Sequence, residues 1–392
     1  MANSTILTIP VSITSIASFS PLGRTPQEVW ESYLKPATKI SFKDVGNKNV
    51  PVAALNDQLE KLVSELANSD SKYRYLDKSV LYAILASRSA AKAAGWKEGD
   101  VFGINIGSSR GATELFENHY SEFINTGKTS VQASPSTTLG NISSWIAHDL
   151  KSTGPEISHS ITCSTALHAL LNGIAWLRGG MSDKFMVGGS EAPLTPFTIA
   201  QMQAMKIYSS QQAEYPCRAL DMDKEVNTMV LGEGAAIACL EPGRKPDALA
   251  YIEGVGYSTE VLKHSVSIST DADCLQKSML MAMEGIDVTE VDAVIMHAPG
   301  TIKGDMSEYN AIKKVFDNHT PLLTSNKWKI GHTFGASGLL SLEMAVMMLN
   351  NEKFIGIPFV DKENFIQDKK LSKILVNAVG FGGNAVSILV TK

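Results

Sequence analysis

The sequence predicts a duplicated α/β body, with two similar halves placing sheets on either side of a layer of buried helices. Two observations carry that expectation. Short apolar strands alternate with helical segments along the chain. Two of the helices, one in each half, are rich in Ala, Gly, Leu and Ser on nearly all faces. A helix that is apolar all round belongs inside a large body. The 392 residues are enough for two domains or two fused halves. The changeover is placed in the polar, turn-rich stretch Glu241–Asp247, giving an N-terminal half over 1–243 and a C-terminal half over 244–392.

The elements follow in order. Met1 to Ser20 alternates apolar residues with Ser and Thr and lacks a basic start, so it reads as a strand with a turn rather than a signal peptide. Ile157 to Thr162 also alternates and reads as a strand. Cys163-Ser164-Thr165 comes next, then a helical segment up to Gly179-Gly180. Phe185 to Gly189 is a short apolar strand closed by Ser190-Glu191. In the second half, Val291 to Met296 is a strand ending at His297, and Leu322 to Asn326 leads to Lys327. Gly331-His332 opens a small-residue run that continues as a buried helix. The last core strand, Ile374 to Val379, ends in Gly380-Phe381-Gly382-Gly383.

Composition narrows the function classes. With 44% hydrophobic and 19% charged residues, the chain is globular rather than disordered. A formal charge of −5 and the lack of a basic block argue against nucleic acid and anionic membrane surfaces. No apolar run is long enough to cross a bilayer. The cysteines, at 163, 217, 239 and 274, show neither CxxC spacing nor a metal pattern, and they read as reduced thiols of a cytoplasmic protein. No metal and no cofactor is expected.

The chemistry gathers at the strand-to-helix junctions. Cys163 stands where unpaired N–H groups of a first helical turn would lower a thiol pKa and favour the nucleophilic thiolate. His297 ends a strand and His332 opens a helix, positions where α/β folds place ligands. Lys327 lies five residues before the second histidine. Such a set suits acyl transfer followed by carbon–carbon bond formation. The cysteine accepts an acyl group as a thioester, and two imidazoles hold the carbonyl of a malonyl unit as it loses carbon dioxide. The backbone of Cys163 and of the Gly380–Gly383 turn can hold the second oxyanion.

Several strings resemble the 3-oxoacyl-(acyl-carrier-protein) synthases, in the same order as in that family. They are TCSTA (162–166), GGSEA (188–192), VLGEGAA (230–236), His297 through Gly304-Asp305 to Glu308, Lys327 through Gly331-His332 to GASG (335–338), and GFGGN (380–384). The opening IASFSPLG with Trp30 following is similar too. The likeness implies a thiolase fold with layered αβαβα halves and an elongating Cys-His-His triad at Cys163, His297 and His332. It implies Lys327 as supporting cation and Phe381, with Gly382 and Gly383, as gate and oxyanion turn. Thr301, Asp305 and Glu308 would stand behind the triad. The implied partners are acyl- and malonyl-loaded carrier proteins, and a second copy of the chain or a related subunit. A thiolase would need a cysteine near the C-terminus, and none follows Cys274.

Three departures from the family pattern stand out. His297 is followed by Ala-Pro-Gly-Thr rather than Gly-Thr-x-Thr, so Pro299 removes a backbone donor from the loop. The segment Arg218–Met229 is longer than usual and lacks a Gly-Phe. Ser341 occupies the place of a Glu that can engage the lysine. Glu343, about 200° further round the helix, is a poor substitute, which leaves Asp305 or Glu308 as partners for Lys327. These departures point to a specialised product of the aryl-polyene, flexirubin-like or polyketide kind. Two readings compete: a non-catalytic chain-length-factor-like partner, and a non-decarboxylating acyltransferase.

The remaining histidines read as bland. His119, His148, His264 and His319 are expected at the surface or satisfied, His159 in a strand and His168 in the core. An acidic carrier needs a local basic patch, for which Lys206, Arg218 and Lys263 are candidates.

Overall fold

The computed structural model describes residues 6–138, 141–261 and 268–392. His264 and Lys263 lie outside the described residues. Ten strands form one mixed sheet, in the order Leu322–Thr324, Ala293–Ile295, Lys373–Gly380, Asn384–Thr391, Ala250–Thr259, Ile6–Phe19, Gly234–Pro242, Phe185–Glu191, Gly103–Gly107 and Glu156–Ile157. The long strand Ile6–Phe19 is the hinge of this arrangement, because it pairs antiparallel with Gly234–Pro242 on one side and Ala250–Thr259 on the other. Strands from before residue 243 thus lie on one side of it, and strands from after residue 249 on the other.

Helices make the other layers. Lys78–Ala93 covers the outer face of Ile6–Phe19, Gly234–Pro242 and Phe185–Glu191, while Asp273–Ala282, with Ile302–Phe316 packed on it, covers the outer face of Ala250–Thr259 and Asn384–Thr391. Between the two halves lie Thr165–Arg178 and Ser337–Asn351, packed on each other and on strands of both halves. From Ser337 to Leu349 the second of these is buried at every position. That is the expected αβαβα layering of the thiolase fold, with the two small-residue helices at its centre. Small residues also set the outer spacing. A Cβ on Gly254 or Gly256 would lie 1.8 Å from the carbonyl oxygens of Ala282 and Ser278 respectively, so helix Asp273–Ala282 lies against bare backbone.

One expected strand is corrected. Of Ile157 to Thr162, only Ile157 belongs to a strand, Glu156–Ile157. The rest is a turn, because the side chains compete for the backbone. The Thr165 hydroxyl donates to Thr162 O (2.6 Å) and accepts from Ile161 N (2.9 Å). His159 is fixed by Asn105 at 2.9 Å and by Thr165 O at 3.1 Å, so it is a half-buried loop residue and not a strand residue. His168 bonds Ser164 O at 3.1 Å, one turn back along its helix, and is likewise half-buried.

Candidate active site

Cys163 is presented by that turn. Thr162 before it has φ of 47°, a left-handed conformation that a β-branched residue adopts only when its surroundings impose it. Ser164, at the start of helix Thr165–Arg178, donates its hydroxyl back to Ile161 O at 3.0 Å, and the Ser337 hydroxyl reaches Cys163 O at 3.4 Å from the other half's helix. The nucleophile loop is therefore held from both halves.

His297 follows the strand Ala293–Ile295 and is fixed from below by Glu308. The Glu308 carboxylate accepts from His297 N at 2.9 Å, Ala298 N at 2.8 Å and Asn377 Nδ2 at 3.1 Å. Asp305 takes Gly300 N at 3.0 Å and Leu220 N at 3.0 Å. Pro299, with no N–H, thus falls where neither acid needs a donor. Thr301 caps helix Ile302–Phe316 by accepting from Gly304 N at 3.2 Å. Asp305 is not a partner of Lys327: its ion pair is with Lys224 at 2.8 Å, both side chains being nearly fully buried. The long segment 218–229 exists in part to deliver that lysine, and Arg218 within it is tied to Asp221 and lies over the Phe359 ring. Lys206 is exposed.

His332 is held through its backbone, which donates to Val230 O at 2.6 Å. Its ring meets that of His297 edge-on at 5.1 Å between centroids, and that of Phe334 at 5.3 Å. Donor atoms of Cys163, His297 and His332 lie within 4.8 Å of one another, and all three residues are buried. Such a trio could close around an ion, and it is equally what a thiol needs from two imidazoles that take its proton and donate to a substrate oxygen. The Gly380–Gly383 turn abuts it: Thr162 Oγ1 donates to Phe381 O at 3.2 Å, and a Cβ on Gly380 would come 3.1 Å from Cys163 N. Gly382 and Gly383 take φ of 100° and 70°, and the Phe381 ring is partly exposed.

The electrostatics correct one expectation. Burial pushes the Cys163 thiol up to about 12, helped by the negative field of Glu191 and opposed by Lys327 and Arg110. Desolvation outweighs the helix terminus, so the resting group is a thiol. Burial also holds both imidazoles neutral, far below their ordinary value, with Lys327 adding to the effect at each and His332 at His297. The Nδ1 atoms of both rings are buried without a hydrogen-bond partner among the described residues. Neutral imidazoles can take a thiol proton and can donate N–H to a developing oxyanion. Burial lowers Lys327 to about 8, against the charge of Glu308. Its ammonium is present below that pH and lost above it. Decarboxylation of a malonyl carrier is expected to decline as pH rises through about 8 and to persist below pH 6.5. Stopped assays from pH 6 to 9.5 check this, and Lys327→Met should lose the alkaline limb.

Sequence reasoning did not single out Glu191. Its carboxylate accepts from Gly335 N at 3.0 Å and from Ser109 N, so it ties the run before the second buried helix to the loop at Ser109. The signal was a charge at the end of an otherwise apolar strand. Nor did sequence foresee left-handed non-glycine residues close to each reactive side chain: Thr162 and Ala298 (φ 26°) adjacent to Cys163 and His297, and Phe334 (φ 40°) two residues after His332. Ala298→Gly is expected to raise the melting temperature, by relieving roughly 1 kcal/mol of backbone strain. Calorimetry of the two proteins checks it, and an unchanged or lower value would show the turn to be unstrained.

The chain matches the family described as Beta-ketoacyl synthase, N-terminal domain, over residues 8–245, and Beta-ketoacyl synthase, C-terminal domain, over residues 249–357. It is 28% identical to a 3-oxoacyl-[acyl-carrier-protein] synthase 2 of Staphylococcus aureus (strain MRSA252), over 97% of this chain and 98% of the relative. A protein of the same name from Coxiella burnetii is 27% identical over 97% of this chain and 98% of its own length. Among solved structures, the ishigamide ketosynthase/chain length factor superposes with a TM-score of 0.85 at 18% identity, covering 98% of this chain and 99% of that one. A beta-ketoacyl synthase from Burkholderia phymatum gives 0.83 at 19%, covering 98% of this chain and 100% of its own.

Proposed function

The chain belongs to the beta-ketoacyl synthase family, and from that premise we propose that it lengthens an acyl chain held on Cys163 by decarboxylative condensation with a malonyl unit on a carrier protein. The convergence of the buried Cys163, His297 and His332, with the buried Lys327 acting on the charge of all three, is the observation that carries the reading. It also disfavours a non-catalytic partner, which has no use for a nucleophile set between two neutral imidazoles.

The steps use these groups in turn. The Cys163 sulfur attacks the acyl carbonyl of a loaded carrier while a neutral imidazole takes the thiol proton. The carrier thiol leaves with that proton, and the acyl group remains as a thioester. A malonyl carrier then enters, with its thioester oxygen between the two imidazole N–H groups. Its terminal C–C bond breaks, carbon dioxide departs, and the electron pair becomes an enolate whose charge the imidazoles share. The Lys327 ammonium favours that charge at short range. The enolate carbon attacks the Cys163 thioester, whose oxygen is received by the backbone N–H groups of Cys163 and Phe381. The sulfur leaves as a thiolate and takes one proton from solvent, releasing a 3-oxoacyl carrier. Phe381 serves as the gate.

For partners we propose acidic carrier proteins and a second copy of this chain, or a related subunit in its place. Helix Thr113–Thr126 has no buried residue and exposes Phe116, Tyr120, Phe123 and Ile124, while the strand Glu156–Ile157 is the edge of the sheet among the described residues. A chain that sediments as a monomer at micromolar concentration would remove the dimer. The two halves, 1–243 and 244–392, are proposed as the units of the duplication. No helix among the described residues is long and apolar enough to cross a membrane.

The product we propose is a specialised one, of the aryl-polyene, flexirubin-like or polyketide kind. Support comes from the Ala-Pro-Gly turn after His297, the long segment 218–229 and Ser341. The test is incubation with acyl carriers of several lengths and then malonyl carrier, with intact mass followed throughout. An adduct on Cys163 that disappears as a 3-oxo product forms is the expected course. Acylation without condensation would point to an acyltransferase. Elongation of ordinary saturated acyl groups as fast as any other would count against the specialised role.

A further inference from the structure

Among the described residues Lys327 has no carboxylate within salt-bridge distance, although it is a buried cation beside the reacting groups. In the helix Ser337–Asn351, Ser341 stands where the family pattern has an acid. Glu343 does not replace it: that carboxyl lies near Ser18 and Tyr33, and its Oε2 has no hydrogen-bond partner among the described residues. Glu308 lends Lys327 a favourable field, but its two oxygens are occupied by His297 N, Ala298 N and Asn377. The direct contact is made elsewhere. Lys327 Nζ donates to Asn326 Oδ1 at 3.4 Å, and the Ser341 hydroxyl reaches the same oxygen at 3.5 Å. Asn326 Nδ2 reaches Tyr33 Oη at 3.5 Å. Asn326, Lys327, Ser341 and Tyr33 are each 1% exposed.

We propose that Asn326 is the positioning residue for Lys327, its amide clamped between Ser341 and Tyr33 so that its oxygen takes the place of the missing carboxylate. The inference rests on the condensing reading of this site. An ammonium has three donors and no acceptor, so the amide oxygen must face it, and the amide nitrogen is left for the phenol oxygen. The amide offers an acceptor to the ammonium and a donor to the phenol at once. A neutral acceptor also avoids placing a second charge where desolvation is costly. Bonds of this length in an unloaded site can shorten when substrate arrives. Malonyl decarboxylation, which builds negative charge near Lys327, should therefore depend on Asn326 far more than Cys163 acylation, which starts from a thiol whose proton an imidazole takes.

Three variants test this: Asn326→Ala, the near-isosteric Asn326→Asp, and Asn326→Ala combined with Ser341→Glu. Asn326→Ala is expected to lower kcat for malonyl-carrier decarboxylation about tenfold with KM and Cys163 acylation within about twofold, as for loss of one hydrogen bond to a charged group. Its alkaline limit should move down by about half a pH unit, and that of Asn326→Asp should move up. The double variant should recover most of the lost rate. Iodoacetamide alkylation of Cys163 against pH needs no carrier. In Asn326→Ala its profile should move to higher pH, because a weakened Lys327 charge stabilises the thiolate less.

Equal losses in both half-reactions, or identical alkaline limits in Asn326→Ala and Asn326→Asp, would overturn the proposal. If Asn326→Ala fails to fold, the direction of the Asn326→Asp shift decides. A wild-type protein without decarboxylase activity would sink the condensing reading, and the alkylation profiles would still decide whether Asn326 positions Lys327.

Discussion

Cys163→Ala is expected to remove condensation altogether while leaving a malonyl decarboxylase. Losing a nucleophile typically costs on the order of 10⁶ in rate, because no other group on the path can hold the acyl chain. The loss of carbon dioxide makes no use of the sulfur. It needs the two neutral imidazoles and Lys327, which the substitution leaves in place, and a small side chain opens room at the enolate carbon. Carbon dioxide release should therefore persist within about tenfold of wild type, a spread of about 1.4 kcal/mol in barrier. Parallel assays of adduct mass, 3-oxo product and carbon dioxide make the comparison. Condensation surviving in this variant would mean that the acyl group is held elsewhere.

The second large effect concerns Glu308, which never touches the acyl chain. Glu308→Leu would leave the buried N–H groups of His297 and Ala298 and the Asn377 amide without their shared acceptor. Each orphaned donor costs about 1–3 kcal/mol, so the sum is a large part of the 5–15 kcal/mol that holds a typical domain folded. Glu308→Leu should thus be severely destabilised, and the part that folds should have a displaced His297. Glu308→Gln keeps one acceptor oxygen and should lose less. The pH sign separates the cases. Burial raises Glu308 to about 7 in the folded state from its ordinary 4.5, so the folded protein holds this proton more tightly than the unfolded chain. Its contribution to stability falls as pH rises from about 4.5 to about 7. The gap between wild type and Glu308→Gln should narrow between pH 5 and pH 8 in urea titrations. A gap that widened would mean that the carboxylate is favoured in the ionised state.

What sequence could show divides along physical lines. Cys163, His297, Lys327 and His332 were legible because each sits at a junction between a strand-like and a helix-like pattern, a local feature. The two central helices were legible because apolar residues on every face leave no alternative to burial. The turn at residues 158–162 was misread as a strand because alternation is blind to the Thr165 hydroxyl that captures the backbone. The resting state of Cys163 was misjudged for a related reason: desolvation depends on every layer around a group. Partnerships across the chain were out of reach. Glu191 meets Gly335 across 144 residues, Lys224 meets Asp305 across 81, and Asn326 meets Tyr33 across 293. The family pattern showed that the lysine network had changed. It did not show what replaced the acid.

The nucleophile lies on one side of the hinge strand Ile6–Phe19 and both histidines on the other, with the two central helices packed between. Their alignment is therefore a matter of how those helices seat against each other, in the way that the teeth of two gears set the phase of distant shafts. A methyl group added or lost along that seam, at Leu167 or Gly338, for example, where a Cβ would come 2.7 Å from Leu167 Cγ, would rephase the sulfur against the imidazoles without touching either. The seam is part of the catalytic machinery, although none of its residues meets a substrate.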